Sequence, residues 1–254
     1  MAGVPRRIVS LVPSTTASVC AFGCADRLVG CTRWCVEPAA ALTNVARIGG
    51  TKNPDVAAIL ALQPDLVLAN GEENRAEDLE RLAARVPVLV QTPRTVPTAR
   101  ADLQALAERL DVLPIAAPWL ARIDAQLAAL AATPPPRSAP RVYYAIWKKP
   151  WMSINRDTFI HDVLTHMGVA NICADDSARY PEVDPATAVA RGVDCVLLAS
   201  EPWAFDETQR RELAALRPFG DAKLVLCDGR DFCWHGVHLA EGLGRARALA
   251  RSLS

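Results

Sequence analysis

Residues 55–69 read DVAAILALQPDLVLA, and residues 184–199 read DPATAVARGVDCVLLA. In both, an aspartate opens a stretch with helical spacing, and ten positions later a second aspartate opens an unbroken apolar run. Such a short run, apolar on both sides, suits a strand covered on both faces, as in a parallel sheet between helices. The two segments predict βα units and, as a faint internal repeat, two similar α/β lobes. That any two βα units look alike remains the competing explanation.

The same alternation extends outward from both segments. Residues 8–12 form a short apolar run ending at Pro13, with Ser14 expected as the N-cap of a helix over 15–22 that Gly23 closes. Strands are expected at 28–31, 87–91, 141–146 and 223–227, and helices at 75–84, 158–167, 185–190, 209–216 and 237–253. Between 91 and 141 no strand pattern occurs; two helical stretches, 98–110 and 115–132, fill the gap, and Pro134, Pro135 and Pro136 forbid continuation. The expected fold class is therefore α/β: two Rossmann-like lobes with mainly parallel sheets, 1–113 and 137–254, joined by a single long backbone helix within 114–136. The length agrees, since 254 residues amount to about 1.7 average domains.

Composition removes several function classes. Twenty-eight basic residues balance 28 acidic ones, without the excess a dedicated nucleic-acid binder carries. No apolar run approaches the roughly 18 residues needed to span a bilayer, and the few residues before the strand at Ile8 are too short for a secretory signal. As written, the chain therefore reads as cytoplasmic. Among the eight cysteines, Cys20, Cys24, Cys31 and Cys35 make two C-x3-C pairs, open to reading as core thiols, disulfides or a metal site. Phosphate-loop, nucleophile-elbow and zinc-protease motifs are absent, so no catalytic residue and no metal ligand is assigned.

The unusual feature of the composition is six Trp against five Phe and three Tyr. Ligands of open α/β sheets bind outside the carboxyl ends of the strands. Five Trp (34, 147, 151, 203 and 234) fall in the segments that follow strands, and only Trp119 lies in a helix pattern. Either these indoles cap the core from above, or they form a broad apolar wall for a large flat ligand. Gly49 and Gly50 read as a turn bringing backbone close to a ligand. The polar run CDGRDFCWHGVH over 227–238 reads as a ligand-contacting loop, with His238 in the terminal helix. Acidic residues at the tips, Glu72 and Glu73 in one half and Glu201, Asp206 and Glu207 in the other, are either solvated or docking points for a partner's arginines.

Taken in order, RIVSLVPSTT from Arg7, DRLVG from Asp26, GGTKNPD from Gly49, ALQPDLVLA from Ala61, DTFI from Asp157, GVDCVLL from Gly192 and WHG from Trp234 resemble the helical-backbone substrate-binding proteins of ABC importers, a family carrying vitamin B12, ferric siderophores and haem. The likeness covers nearly the whole chain. It implies a ligand cleft between two lobes, with the loops at Ser14, Trp34 and Thr51 on one wall and Trp151, Trp203 and Trp234 on the other; the turn and strand-end segments read above add Lys52, Asn70, Trp147, Asp228 and His235 as candidate contacts. It also implies docking of Glu72 or Glu73 and of Glu207 onto permease arginines, a monomer, no cofactor of its own, and a non-enzymatic role. The Trp-rich loops, poor in Arg, favour the cobalamin branch, with a ferric siderophore or haem as alternatives. The resemblance also implies a periplasmic protein if the N-terminus is incomplete. A cytoplasmic metal or chelate enzyme using His235 with Cys233 or Asp231 is the competing class.

Overall fold

The computed structural model describes residues 3–132 and 139–253, which divide into two compact units. Unit 1 comprises Met1–Pro93, Pro97–Ile123 and His235–His238. Its strands are β1 (Ile8–Ser10), β2 (Leu28–Cys31), β3 (Ala46–Arg47), β4 (Leu66–Asn70) and β5 (Val88–Gln91). They form a five-stranded sheet in the order β3-β2-β1-β4-β5, with every pairing parallel. The helices are α1 (Pro13–Ala21), α2 (Val56–Ala61), α3 (Ala76–Ala83), α4 (Val96–Arg109) and α5 (Leu113–Ala131). Helix α5 contributes residues to both units, because the division falls between Ile123 and Asp124.

Unit 2 comprises Arg94–Val96, Asp124–Trp234 and Leu239–Ser254. Its elements are β6 (Arg141–Ala145), β7 (Trp147–Lys148), β8 (Trp151–Met152), α6 (Phe159–Met167), β9 (Ala170–Asn171), α7 (Pro185–Ala190), β10 (Cys195–Ala199), α8 (Glu207–Leu216), β11 (Lys223–Cys227), α9 (Arg230–Cys233) and α10 (Leu239–Arg251). A parallel sheet runs β11-β10-β6-β9, and β7 and β8 make a separate antiparallel hairpin. The expected α/β class, with mainly parallel sheets in two lobes, is the one observed.

The repeat has a physical basis in the side chains. Asp55 caps α2 by accepting from Ala58 N at 2.9 Å, and Asp184 caps α7 by accepting from Thr187 N at 2.7 Å. The second aspartates act alike: Asp65 accepts from Arg7 N (3.0 Å) and Asp194 from Arg141 N (2.8 Å). Arg7 then donates from Nη2 to Leu62 O at 2.6 Å, at the end of α2, and Arg141 does so to Arg191 O at 2.6 Å, at the end of α7. Each guanidinium thus neutralises the carbonyl end of the helix that the first aspartate starts. Asp55→Ala and Asp184→Ala are each expected to cost about 1 kcal/mol in urea unfolding, the ordinary value of an N-cap.

Both cores lie where the apolar runs are. Val9, Val67, Ile59 and Leu82 pack in unit 1, and Tyr143, Val196, Leu198 and Phe219 in unit 2. Three local readings need correction. Pro13 occupies the first turn of α1 and Val12 is the N-cap, so Ser14 lies inside the helix instead of capping it. Proline is tolerated there because that N–H lacks a helical partner in any case. The terminal helix begins at Leu239, so His238 sits in the turn before it. The two-residue strands β3, β7, β8 and β9 and the four-residue α9 went unread, being too short to show a period. Pro134–Pro136 lie in 133–138, outside the described residues.

Candidate functional site

The strand order of unit 1 reverses between β1 and β4, the point at which open α/β sheets gather ligands. Ser14, in the first turn of α1 after β1, and Asn70, the last residue of β4, lie at the carboxyl ends of these strands. His235, which belongs to the same unit, brings them together: its Nε2 lies 3.4 Å from Ser14 Oγ and 3.2 Å from Asn70 Nδ2. An amide NH2 only donates, so Nε2 accepts and the imidazole is neutral with its proton on Nδ1. Burial agrees, pushing the His235 pKa down to about 4.

Asn70 is also the pivot of its loop. Its Oδ1 accepts from Glu72 N (2.8 Å) and Glu73 N (3.1 Å), and its own N–H donates to Asn74 Oδ1 at 2.8 Å. Asn74 in turn donates to Thr51 O at 2.9 Å, and Lys52 Nζ to Glu72 O. Thr51, Lys52, Asn70 and the acidic tip are therefore one hydrogen-bonded assembly. Gly49 and Gly50 form the expected turn, but the close approach is to the turn's own Asn53: a Cβ on Gly49, whose φ is +94°, would lie 2.7 Å from Asn53 O. Trp34 reaches this turn, since its Nε1 would lie 3.4 Å from a Cβ on Gly50. Its ring is 55% exposed and carries the Arg33 guanidinium 5.1 Å from its centroid. Arg33, which directly precedes Trp34, is thereby a further candidate that sequence alone did not single out.

Unit 2 reverses strand order between β6 and β10, and the residues after those strands are aromatic. Trp147 and Trp203 meet edge to face at 4.8 Å. Trp151 stacks on Phe205 at 5.9 Å and meets Phe219 edge-on at 5.1 Å. The tryptophan positions were legible as strand-end positions, but the phenylalanines behind them were not. Indole N–H groups are satisfied inside the unit: Trp147 donates to Lys149 O (3.1 Å), Trp203 to Gln209 Oε1 (3.1 Å) and Trp234 to Glu201 Oε2 (3.0 Å). Trp234 is only 8% exposed, so its indole is largely structural. Trp147, at 39%, keeps an open face.

The polar run after β11 is mostly engaged in scaffolding. Arg230 forks onto Asp228 (2.7 Å from Nη2), and Arg245 grips the buried Asp231 (2.6 Å from Nη2). A Cβ on Gly229 would lie 2.7 Å from Glu201 N, so glycine alone permits that contact. The expected acidic docking points differ. Glu73 is exposed, and Glu72 is partly buried. Glu207 is held by Arg210 (2.7 Å) and Arg211 (2.9 Å), and the Arg210 pairing draws its pKa down to about 2. Asp206 caps α8 by accepting from Gln209 N (2.8 Å). All eight cysteines are free thiols, and no group of three or more His, Cys, Asp or Glu suited to a metal occurs among the described residues. No helix among those residues is long and apolar enough to cross a membrane.

Known proteins give this geometry a setting. The vitamin B12-binding protein of Vibrio parahaemolyticus is 30% identical over 226 residues, covering 85% of this chain and 80% of that protein. That of Vibrio campbellii is 29% identical over 201 residues, covering 78% and 72%. Among solved structures, the periplasmic vitamin B12 binding protein BtuF of Vibrio cholerae superposes with a TM-score of 0.80 at 19% identity over 98% of each chain. A periplasmic heme-binding protein, BhuT, gives 0.82 at 24% identity over 99% of this chain and 100% of that one, so the fold is common to proteins with different ligands. With residues 8–216 matching the family model, this chain belongs to the periplasmic binding protein family.

Proposed function

We propose that this protein captures a corrinoid of the vitamin B12 type and delivers it to an ABC importer, without catalysing a reaction on it. The observation that carries this reading is the aromatic surface at the carboxyl ends of β6 and β10, where Trp147 and Trp203 lie in contact with Trp151 and Phe205 behind them. A flat, largely uncharged macrocycle is held by area and shape, which rigid indoles supply. The names of the curated relatives support the same ligand class. Ser14, Trp34, Thr51, Lys52 and Asn70 are proposed as the contacts from unit 1, with His235 beneath Ser14 and Asn70 as their brace. Trp147, Trp151, Trp203 and Asp228 are the proposed contacts from unit 2, and the buried Trp234 supports them from behind. For docking onto a permease, the exposed Glu73 is proposed from unit 1 and Glu207 from unit 2, where Glu207 would exchange Arg210 and Arg211 for permease arginines.

Arg33 on Trp34 favours a second reading, an anionic chelate such as haem or a ferric siderophore. Calorimetric titration separates the two. Cyanocobalamin is expected to bind with one-to-one stoichiometry, and haem and a ferric catecholate far more weakly. Absence of heat and of co-elution with cyanocobalamin at high micromolar concentration would overturn the corrinoid reading, and tight haem binding would replace it.

A further inference from the structure

Cys31 ends β2 and Cys35 follows one turn later, closed by a hydrogen bond from Cys35 N to Thr32 O at 3.1 Å. The turn brings the two thiols into a hydrogen bond with each other. Arg47 fastens the arrangement: its Nη1 donates to Cys31 Sγ at 2.9 Å, to Thr32 O at 3.2 Å and to Cys35 O at 2.6 Å. The hydroxyl oxygens of Thr16 and Thr32 lie 3.1 and 3.2 Å from Cys35 Sγ. A guanidinium against one sulfur opposes a bound cation, so two thiols in this setting are poorly suited to a metal and well suited to joining each other.

We propose that Cys31 and Cys35 form a peroxide-sensitive dithiol, in which a hydroperoxide oxidises Cys35 to a sulfenic acid and Cys31 resolves it to a disulfide. In the first step the Cys35 thiolate sulfur attacks one peroxide oxygen. The O–O bond breaks, the sulfur gives up two electrons, and the leaving alkoxide or hydroxide takes the proton lost by Cys35. In the second, the Cys31 sulfur displaces hydroxide from Cys35, and the Cys31 proton leaves with it as water. Two thiols and one hydroperoxide thus give one disulfide, one water and one alcohol, or a second water when the oxidant is hydrogen peroxide.

Selectivity follows from the surroundings. The hydrogen bond from Cys31 draws the Cys35 pKa down to about 6, against its burial, while that of Cys31 is raised, making it the proton donor of the pair. Elsewhere burial pushes the thiols the other way, Cys20 up to about 11 and Cys195 up to about 12. The thiolate is the nucleophile, and the two threonine hydroxyls facing Cys35 Sγ stabilise it there, so Cys35 reacts first. Both sulfurs are buried, but Arg33, Trp34 and residues 36–40 around them are exposed, so access for a water-sized oxidant requires only local opening of that short segment.

The test treats the full chain with a small excess of hydrogen peroxide, alkylates the remaining thiols after denaturation, and maps the tryptic peptides. Residues 28–33 joined to residues 34–47 through Cys31 and Cys35 are expected, forming roughly tenfold faster than oxidation at any other cysteine. Cys31→Ser is expected to leave a sulfenic acid at Cys35 that dimedone traps, and Cys35→Ser to abolish the fast reaction. Absence of the joined peptide in the wild type, or a disulfide from Cys35 to Cys20 in its place, overturns the proposal whether or not the variants fold.

Discussion

Lowering the pH from 7 to 4.5 is expected to remove roughly 2.5 kcal/mol of folding stability through His235 alone. The imidazole is buried, its Nε2 faces Ser14 Oγ and Asn70 Nδ2, and burial depresses its pKa from 6.5 to about 4. Above pH 6.5 the ring is neutral in both folded and unfolded chains, and it adds no pH dependence. Between 6.5 and about 4 the unfolded chain takes up the proton and the folded one resists, so stability falls as acid is added. Below that range the folded ring protonates too, and the loss levels off. His161 is shifted the same way by burial and adds to the slope. Urea unfolding at pH 7, 5.5 and 4.5 measures it, before the lowered carboxylates of Asp157 and Asp184 begin to protonate. His235→Gln keeps a group able to accept from Asn70 but cannot titrate. It is expected to be less stable at neutral pH and to keep only the shallower slope that His161 contributes over the same interval. An equal slope in wild type and variant would mean that His235 does not govern the transition.

Trp34→Ala and Trp147→Ala are each expected to weaken cyanocobalamin binding about tenfold, or ~1.4 kcal/mol, with little effect on unfolding. These two indoles have open faces at 55% and 39% exposure, so their area is free for a ligand. Trp234→Ala is expected to behave in the opposite manner. Its ring is buried and its N–H donates to Glu201, so removal leaves a cavity and takes a donor from that carboxylate, costing about 3 kcal/mol of stability. Trp119→Ala, in α5 with Arg122 over its ring, serves as the control for binding. Calorimetry paired with urea melts distinguishes the two groups. Unchanged affinity in both Trp34→Ala and Trp147→Ala would remove the strand-end aromatics from the ligand surface.

That division among the tryptophans marks the boundary of what a sequence reveals. Residues 55–69 and 184–199 carried the alternation of helix and apolar strand, and Asp55, Asp184 and Gly23 marked helix ends, because capping and periodicity act over a few neighbouring residues. The placement of five Trp after strands was equally local. Which face each indole turns to solvent was not, since Trp234 is tied to Glu201, 33 residues away, and Trp151 lies against Phe219. His235 looked like a possible ligand contact or metal ligand at the mouth of a loop; its contact with Ser14, 221 residues distant, makes it a buried neutral brace. No local pattern marks Arg7 and Arg141 either, yet each closes a helix end in its own lobe.

By itself, then, the chain's order of residues determined the parallel α/β class, the repeat and the strand-end position of the aromatics, all of which rest on short-range backbone preference and period. Only the tertiary structure decided which of those side chains are buried and paired and which remain open. Exposure and hydrogen-bond satisfaction depend on atoms brought together from distant parts of the chain, and no local pattern records them.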